Sequence, residues 1–261
     1  MTVRPLATFD RDRARALRGL FTDIDDTLTL DGRLVPAAYR ALCDAADAGL
    51  RVVAVTGRPG GWAEVLAALW PVAAVIAENG GVVVLRDGER RFWDPEEVRA
   101  DQQRRLVALA DDVRARLPFA RLADDQPLRR VDLAFDVGER RRLATAEVAA
   151  LVEAIHAHGA RSLVSTVHAH AFFGDHDKAA MIARFAREQW SEEEASLRAR
   201  YLFVGDSPND QAGFSFFPLS VGVANVERFV GQLAPPPAFV TRAAGGHGFA
   251  ELVDLLLALR A

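Results

Sequence analysis

Three carboxylates at the end of an apolar run are the residues in this 261-residue sequence that most clearly point to chemistry. The segment Asp23-Ile24-Asp25-Asp26-Thr27 directly follows Gly19-Leu20-Phe21-Thr22, which has the pattern of a buried strand. Crowded carboxylates repel one another and lose solvation on burial, so they need a proton or a cation among them. A hard divalent ion such as Mg²⁺ meets this need and leaves room for water and phosphate oxygens. The segment therefore predicts a metal site suited to phosphoryl transfer.

A second acidic cluster follows another apolar run. The segment Gly205-Asp206-Ser207-Pro208-Asn209-Asp210 comes directly after Tyr201-Leu202-Phe203-Val204. We expect Asp206 to bind the metal directly, while Asn209 and Asp210 orient ligands or waters around it. Because ligands of open α/β sheets bind beyond the carboxyl ends of the strands, the two acidic clusters are expected to meet there.

A lysine and a threonine complete the candidate site. Lys178 shares one helical face with Met181, Ile182 and Phe185, which predicts that it points into the core. A buried ammonium group needs negative partners, and a phosphate with the acidic clusters would supply them. Thr56-Gly57-Arg58 offers a hydroxyl and a flexible backbone amide, which suit a phosphate oxygen.

The elements that must position these residues form an α/β pattern. Short apolar runs alternate with helical patterns, which predicts a Rossmann-like, doubly wound parallel sheet with helices on both faces. Each run ends in polar or glycine-rich residues, and Glu78-Asn79-Gly80-Gly81 follows the third. The four runs are Gly19–Thr22, Arg51–Val55, Ala74–Ala77 and Tyr201–Val204.

The pattern changes in the middle of the chain. Asp87-Gly88 is a strong hairpin-turn dipeptide, so this region is predicted to begin with antiparallel strands. We predict an inserted α+β cap domain at 83–174, a catalytic core formed by 1–82 and 175–261, and hinges near Gly81 and Gly174. The predicted cap elements are strands at 82–85, 91–93, 129–137, 162–165 and 168–173, and helices at 96–117 and 139–158.

Composition and charge argue against a nucleic-acid-binding protein and against a membrane protein. A formal charge of −4 argues against broad binding of nucleic acid, and charged or turn residues interrupt every apolar run before it reaches the length of a membrane span. A single cysteine, Cys43, and an amino terminus without a secretory signal favour a cytoplasmic location. We expect no membrane partner and a monomer or small homo-oligomer.

Taken together, the four motifs resemble those of the haloacid dehalogenase superfamily of phosphohydrolases over nearly the whole chain. They are the loop Asp23 to Thr27, the threonine of Thr56-Gly57-Arg58, the lysine of Asp177-Lys178 and the acidic loop Gly205 to Asp210. The placement of the insertion is similar to that of the large cap in the sugar-phosphatase branch of this superfamily. Where members of that branch often have glycine, this chain has Asp26.

The resemblance implies roles for individual residues. Asp23 would attack phosphorus, and Asp25 would act as the acid and base that serves the leaving group. Thr56 and Lys178 would hold the transferring phosphoryl group. Mg²⁺ would be bound by Asp23, the backbone carbonyl of Asp25 and Asp206, with Asp210 beside them. The expected substrate is a small phosphorylated metabolite, contacted by Gly57, Arg58 and Asn79 in the core and by cap residues chosen from Arg129, Arg130, His168 and His170.

Other functions share parts of this pattern. A sugar phosphomutase or phosphotransferase would form the same aspartyl phosphate and differ only in its fate. Receiver domains also combine an acidic pocket, a hydroxyl residue and a lysine, although they need no inserted cap. A non-catalytic binding protein is a third alternative, and retention of every expected catalytic residue type argues against it.

Overall fold

A computed structural model describes residues 3–261 and shows a twisted central sheet covered by helices on both faces. The strands, in chain order, are β1 (Arg4–Pro5), β2 (Gly19–Thr22), β3 (Thr29–Leu30), β4 (Arg33–Leu34), β5 (Arg51–Val55), β6 (Ala74–Ala77), β7 (Val82–Leu85), β8 (Arg90–Phe92), β9 (Leu133–Asp136), β10 (Arg161–Val164), β11 (His168–Phe172), β12 (Tyr201–Gly205), β13 (Ser220–Gly222) and β14 (Phe239–Val240). The α-helices are α1 (Arg11–Ala16), α2 (Pro36–Asp47), α3 (Gly60–Leu69), α4 (Glu96–Arg116), α5 (Thr145–Ala157), α6 (Lys178–Trp190), α7 (Glu194–Arg200), α8 (Gln211–Phe216) and α9 (Gly245–Arg260).

The central sheet has the order β1-β14-β13-β12-β2-β5-β6-β7-β8. Its strands are parallel from β1 to β6, and the last two are antiparallel. Alternate side chains along β2 and β5 enter two separate apolar clusters, one under α2 and α9 and one under α6 and α8. The predicted α/β fold class is confirmed.

The register of the sheet brings the candidate motifs to one edge. Thr22 of β2 pairs with Val204 of β12 on one side and with Ala54 of β5 on the other. The chain order reverses at β2, which is the position where open α/β sheets form a ligand crevice.

Residues of the middle region build a smaller α+β unit. Its sheet has the antiparallel order β10-β11-β9, and the helices α4 and α5 cover one face of it. Alternation along β11 sends Ala169 and Ala171 toward those helices and leaves His168 and His170 on the opposite face. That opposite face looks toward the carboxyl edge of the central sheet, where both histidines approach core residues.

The hairpin of β7 and β8 extends the central sheet, although the sequence analysis assigned it to the insertion from residue 83 onward. An all-apolar strand, Val82–Leu85, pairs along its whole length with β6 and is buried there. The chain therefore leaves the central sheet only after β8. We propose that the inserted unit consists of residues 94–174.

Two predicted elements of the insertion are shorter than expected. The predicted strand at 129–137 forms only at Leu133–Asp136, because the preceding backbone amides bind a carboxylate of the core instead of a neighbouring strand. The predicted helix at 139–158 begins at Thr145, because Asp136 accepts hydrogen bonds from the amides of residues 138–141 and holds them in a loop.

None of the helices within residues 3–261 combines the length and the apolar character needed to cross a membrane.

Candidate active site

A buried ion pair with two carboxylates occupies the centre of the site. Lys178 Nζ donates to Asp23 Oδ1 at 2.7 Å and to Asp210 Oδ1 at 2.6 Å, and all three side chains are at most 4% exposed. Lys178 is the first residue of α6, and the side chain of Asp177 caps that helix by accepting from the Ala180 amide. The cap thus fixes the point at which the lysine enters the core.

The carboxylates outnumber the cation in this centre. One oxygen from each of Asp23, Asp206 and Asp210 lies within 4.8 Å of the others, and all three residues are buried. Burial raises the pKa of Asp23 well above its ordinary value, although Lys178 opposes this, and burial with Asp210 raises the pKa of Asp206. The carboxylates raise the pKa of Lys178 even though burial lowers it, so the lysine stays charged. Three carboxylates and one ammonium leave a net charge of −2, which a divalent cation balances.

The hydrogen bonds distinguish the three carboxylates. Asp210 has both oxygens engaged, because Oδ1 faces Lys178 and Oδ2 accepts from the amides of Asp206 and Ser207. Asp23 and Asp206 each have one oxygen with no protein hydrogen bond among the described residues. These two residues are therefore the ones with oxygens to offer a metal, and Asp210 orients the loop around them.

Two residues near Asp206 carried no sequence signal. Asn225 donates through Nδ2 to Asp206 Oδ2 at 2.9 Å and to the Asp26 carbonyl at 3.0 Å, and Gly245 at the start of α9 donates to its Oδ1. The Arg228 guanidinium lies 3.7 Å from carboxylate oxygens of both Asp26 and Asp206. Both residues come from the 3₁₀ helix Ala224–Gln232, whose proximity to β2 only the fold creates.

Arg58 binds the carboxylate of Asp25. Its Nε and Nη2 contact the two Asp25 oxygens at 2.8–3.1 Å, and its Nη1 donates to Glu139 of the inserted unit at 2.9 Å. The Asp25 side chain is therefore turned toward Arg58 and lies outside the cluster of Asp23, Asp206 and Asp210. The sequence analysis assigned the backbone carbonyl of Asp25 to the metal, and the structure places the Asp25 side chain with Arg58 instead of in that cluster.

Thr56 follows β5 and is buried beside this ion pair. Its Oγ1 accepts a hydrogen bond from the Arg58 amide at 3.0 Å, so its own proton remains available for another acceptor. Gly57 lines the same cavity as Asp23 and Asp25. The predicted phosphate-binding loop is thus next to the predicted nucleophile.

Asn79 is fully buried and has no partner for its side-chain amide. Its backbone is left-handed, with φ of 55°, and its N–H donates to the Thr56 carbonyl at 3.0 Å. Neither Oδ1 nor Nδ2 forms a hydrogen bond within the described part of the chain. Such groups are costly to bury, so an amide left in this state beside a cavity is available to a ligand.

The inserted unit closes over the site with polar residues. A cavity of only about 10 Å³ remains between the core loops and the inserted unit. His168 faces it and bonds through Nε2 to Glu139, whose pKa falls to about 2 because of this hydrogen bond and of Arg58. The core residues lining it are Asp23, Asp25, Gly57, Ser207 and Asn209, and those of the inserted unit are Ser165, Thr166, Val167, His168 and His170.

Arg129 was predicted to contact the substrate, but the structure places it behind the cavity. Its side chain has no exposed surface and is bound by Asp125, Asp132 and the Gly57 carbonyl. The guanidinium is therefore a support that ties the inserted unit to the Thr56-Gly57-Arg58 loop. Arg130 contacts Glu64 of α3 at 3.8 Å and is half-exposed, away from the cavity lining.

Known proteins resemble this chain both in sequence and in fold. Residues 20–125 match the sequence model of the haloacid dehalogenase-like hydrolases, and this stretch includes the Asp23 loop and the Thr56 loop. Over this stretch the chain matches the haloacid dehalogenase-like hydrolase family, which agrees with the resemblance seen in the sequence.

Solved structures share the fold of this hydrolase over almost its whole length. A Thermoplasma acidophilum protein has a TM-score of 0.73 at 20% identity, covering 92% of this chain and 98% of that one. The sucrose-phosphatase of Synechocystis has a TM-score of 0.65 at 13% identity, covering 93% and 98%. The C-terminal domain of trehalose-6-phosphate phosphatase from C. albicans has a TM-score of 0.68 at 13% identity, covering 98% of each chain. At these identities the likeness concerns the fold.

A buried glutamate holds the inserted unit of this hydrolase on its core. The Glu78 carboxylate accepts from the amides of Arg130, Val131 and Asp132 at 2.7–3.0 Å, and from the Gly60 amide at 2.8 Å. Burial and the neighbouring Asp132 raise the pKa of Glu78 to about 7. The sequence shows an acidic residue at a strand end here, but it does not show that the partners are backbone amides some 50 residues away.

Proposed function

We propose that this hydrolase is a Mg²⁺-dependent phosphatase that removes phosphate from a small phosphorylated metabolite, a sugar or polyol phosphate, through a phosphorylated Asp23. The observation that carries the proposal is the pairing of Asp23 with Lys178 at the carboxyl edge of the sheet. It leaves the other Asp23 oxygen without a hydrogen-bond partner among residues 3–261, and Asp23 lines a cavity together with Asp25 and Gly57.

The donor set fits magnesium. Asp23 and Asp206 supply carboxylate oxygens, and Asp210 lies in the same cluster with its two oxygens engaged by Lys178 and by backbone amides. Few protein ligands and several open positions are what Mg²⁺ uses when it also binds substrate phosphate. When bound, the ion would neutralise charge on the phosphoryl oxygens.

The protein residues can perform both halves of the reaction. In the first half the Asp23 carboxylate attacks phosphorus, the bond from phosphorus to the leaving oxygen breaks, and Asp25 protonates that oxygen. In the second half Asp25 takes a proton from water, the water oxygen bonds to phosphorus, and the bond to Asp23 breaks. Arg58 holds the Asp25 carboxylate at two points, which suits its role as the base. Lys178 and the Thr56 hydroxyl stabilise the negative oxygens of the phosphoryl group.

The fold neighbours support the choice of leaving group. A phosphatase acting on sucrose phosphate and one acting on trehalose 6-phosphate share the architecture of core and inserted unit. The cavity lining of hydroxyl, imidazole and amide groups suits a polyhydroxyl alcohol.

A sugar phosphomutase would use the same first half-reaction and transfer the phosphoryl group to a second sugar instead of water. The cytoplasmic location and the state of monomer or small homo-oligomer stay predictions from the sequence.

Turnover of 4-nitrophenyl phosphate tests the proposal. We expect phosphate release that requires Mg²⁺, stops with a chelator and falls by roughly a thousand-fold or more in Asp23→Asn, because the amide cannot attack phosphorus. Asp44→Asn, at an exposed position of α2, is the matched control and should keep full activity. Full activity of Asp23→Asn would refute the assignment, and transfer of phosphate to an added sugar without release would favour the mutase.

A further inference from the structure

A second polar site lies beside Gly57, on the side of that residue where a side chain would project. A Cβ built on Gly57 would lie 3.0 Å from His170 Nε2 and 3.2 Å from Asn79 Oδ1. The two side chains, one from the inserted unit and one from the core, therefore converge on the same small volume. Because these two atoms already crowd the place of a Cβ, glycine is the residue that fits here, and Gly57 and His170 line the cavity that contains Asp23 and Asp25.

The environment of His170 determines which of its ring nitrogens carries the proton. Nδ1 lies 2.8 Å from Asp132 Oδ2, which can only accept, so Nδ1 must donate. Asp132 is itself held by Arg129, whose Nη1 contacts both of its oxygens at 2.9 and 3.1 Å. Burial lowers the pKa of His170, although Asp132 opposes this, and the ring is neutral near pH 7. Nε2 is then a hydrogen-bond acceptor, and it has no protein partner in residues 3–261.

Asn79 supplies the complementary group. Its side chain is fully buried, and both atoms of its amide lack a hydrogen-bond partner within the described residues. Its backbone is fixed by the hydrogen bond to the Thr56 carbonyl, and its side chain is enclosed by the protein. The amide nitrogen can donate and the amide oxygen can accept.

We propose that His170 Nε2 and the Asn79 amide form a two-point site for one hydroxyl group of the leaving alcohol. The site rests on the phosphatase function proposed above and makes the enzyme selective for phosphate esters of polyhydroxyl alcohols. A hydroxyl satisfies both groups at once, because it donates to Nε2 and accepts from the Asn79 nitrogen once the amide is turned to present Nδ2 in place of Oδ1 toward Gly57. A methylene at the same place would leave both buried groups unpaired, and a carboxylate has no proton to donate to Nε2.

A matched pair of six-carbon esters tests the site. Sorbitol 6-phosphate and hexyl phosphate have the same chain length and differ in the hydroxyl groups. For the wild-type protein with Mg²⁺ we expect kcat/KM to favour the sorbitol ester by on the order of a hundred-fold or more. His170→Phe removes the acceptor while keeping a planar ring, and Asn79→Gly removes the amide while accepting the left-handed backbone. Each variant should lower the ratio of the two kcat/KM values by about ten-fold or more.

The outcomes separate this site from the general function. His156→Phe, at an exposed position of α5, is the control and should keep the wild-type ratio. A ratio unchanged in both variants, or a loss of the same size on both esters, overturns the site. If the wild-type protein hydrolyses 4-nitrophenyl phosphate but its kcat/KM values for sorbitol 6-phosphate and hexyl phosphate are nearly equal, the site is overturned and the phosphatase function stands. A protein that hydrolyses none of the three esters overturns the proposed function itself.

Discussion

Lys178 is the only lysine in the chain, and every other fixed side-chain cation is an arginine. Its compact ammonium group fits between two carboxylate oxygens less than 3 Å away, where a planar guanidinium would need more room. Breaking a buried ion pair by removing one partner is strongly destabilising, because the remaining charge has lost both water and its counter-charge. We therefore expect Lys178 to matter for stability as well as for the phosphate binding proposed above.

Replacing Lys178 with methionine should show both roles. We expect Lys178→Met to lower the free energy of unfolding by about 3–5 kcal/mol in the absence of divalent ions, since Asp23 and Asp210 stay buried without a cation. Urea denaturation measures this change. Mg²⁺ should raise the Tm of the variant more than that of the wild type, because the ion then supplies the missing positive charge.

Arg187→Met is the matched control, at an exposed position on the same helix, and should change stability by less than about 0.5 kcal/mol. A Lys178→Met protein as stable as the control would contradict the assignment of Lys178 as the counter-charge of this pocket.

The turn after β6 positions the helix that carries this lysine. Gly80 has φ of +107°, and a Cβ at this position would overlap the carbonyl oxygen of Asp177, the residue that caps α6. The turn of residues 78–80 also carries Glu78 and Asn79, so one short segment supports the lysine, the inserted unit and the cavity. Backbone contact this close requires glycine.

Two glycine substitutions separate backbone strain from steric overlap. Gly88 also has a positive φ, of +88°, but nothing lies within 4 Å of a Cβ placed there. Gly88→Ala should therefore cost only the strain of the left-handed backbone, about 1–2 kcal/mol. Gly80→Ala should cost about 1–3 kcal/mol more, because the α6 cap must move. Urea denaturation of the two variants gives the comparison, and equal losses would show that the close approach to Asp177 is unimportant.

Elements with a strong local pattern were predicted well. The strand Gly19–Thr22 and the hairpin turn at Asp87-Gly88 formed where the sequence indicated. Segments whose backbone amides bind a side-chain carboxylate instead of a neighbouring strand or helical turn were predicted wrongly. A local sequence pattern does not show which carboxylate will reach these amides in the folded protein. Residues 129–132 read as a strand but bind Glu78, and residues 139–144 read as helix but are held by Asp136.

In the molecule as a whole, we expect the inserted unit to move so that substrate can enter. The cavity of about 10 Å³ between the core and this unit holds roughly one water, far less than a sugar phosphate. The sequence placed the first hinge near Gly81, but the chain remains in the central sheet through β8. We expect the hinges at residues 93–94 and at Gly174, where φ is +95° and where Trp93 Nε1 donates to Asp175 Oδ1 at 2.8 Å.

A reversible cross-link between core and inserted unit tests this motion. A Cβ at Gly61 of α3 would lie 2.9 Å from the Cβ of Leu128, close to the separation of roughly 3.5–4.5 Å found in disulfides. In a background with Cys43→Ser, we expect oxidised Gly61→Cys/Leu128→Cys to hydrolyse sorbitol 6-phosphate at least about ten-fold more slowly than the reduced form, because substrate cannot enter.

Oxidised Gly61→Cys alone controls for the substitution and should respond to reductant by less than two-fold, on the order of assay error. Full activity in the cross-linked protein would mean that substrate reaches Asp23 without movement of the inserted unit.

By itself the sequence was enough to group the candidate site residues of the core. Asp23, Thr56, Lys178 and Asp206 stand at strand or helix ends, and parallel strands bring such ends to one edge, so local pattern was enough to group them. Only the tertiary structure decided which groups pair across loops. Arg58 binds Asp25 and Glu139, and Glu78 binds the amides of residues 130–132. His170 binds Asp132 and lies opposite Asn79. These contacts join residues between 33 and 91 positions apart, and hydrogen bonds over such separations depend on how two surfaces meet, which no local pattern encodes.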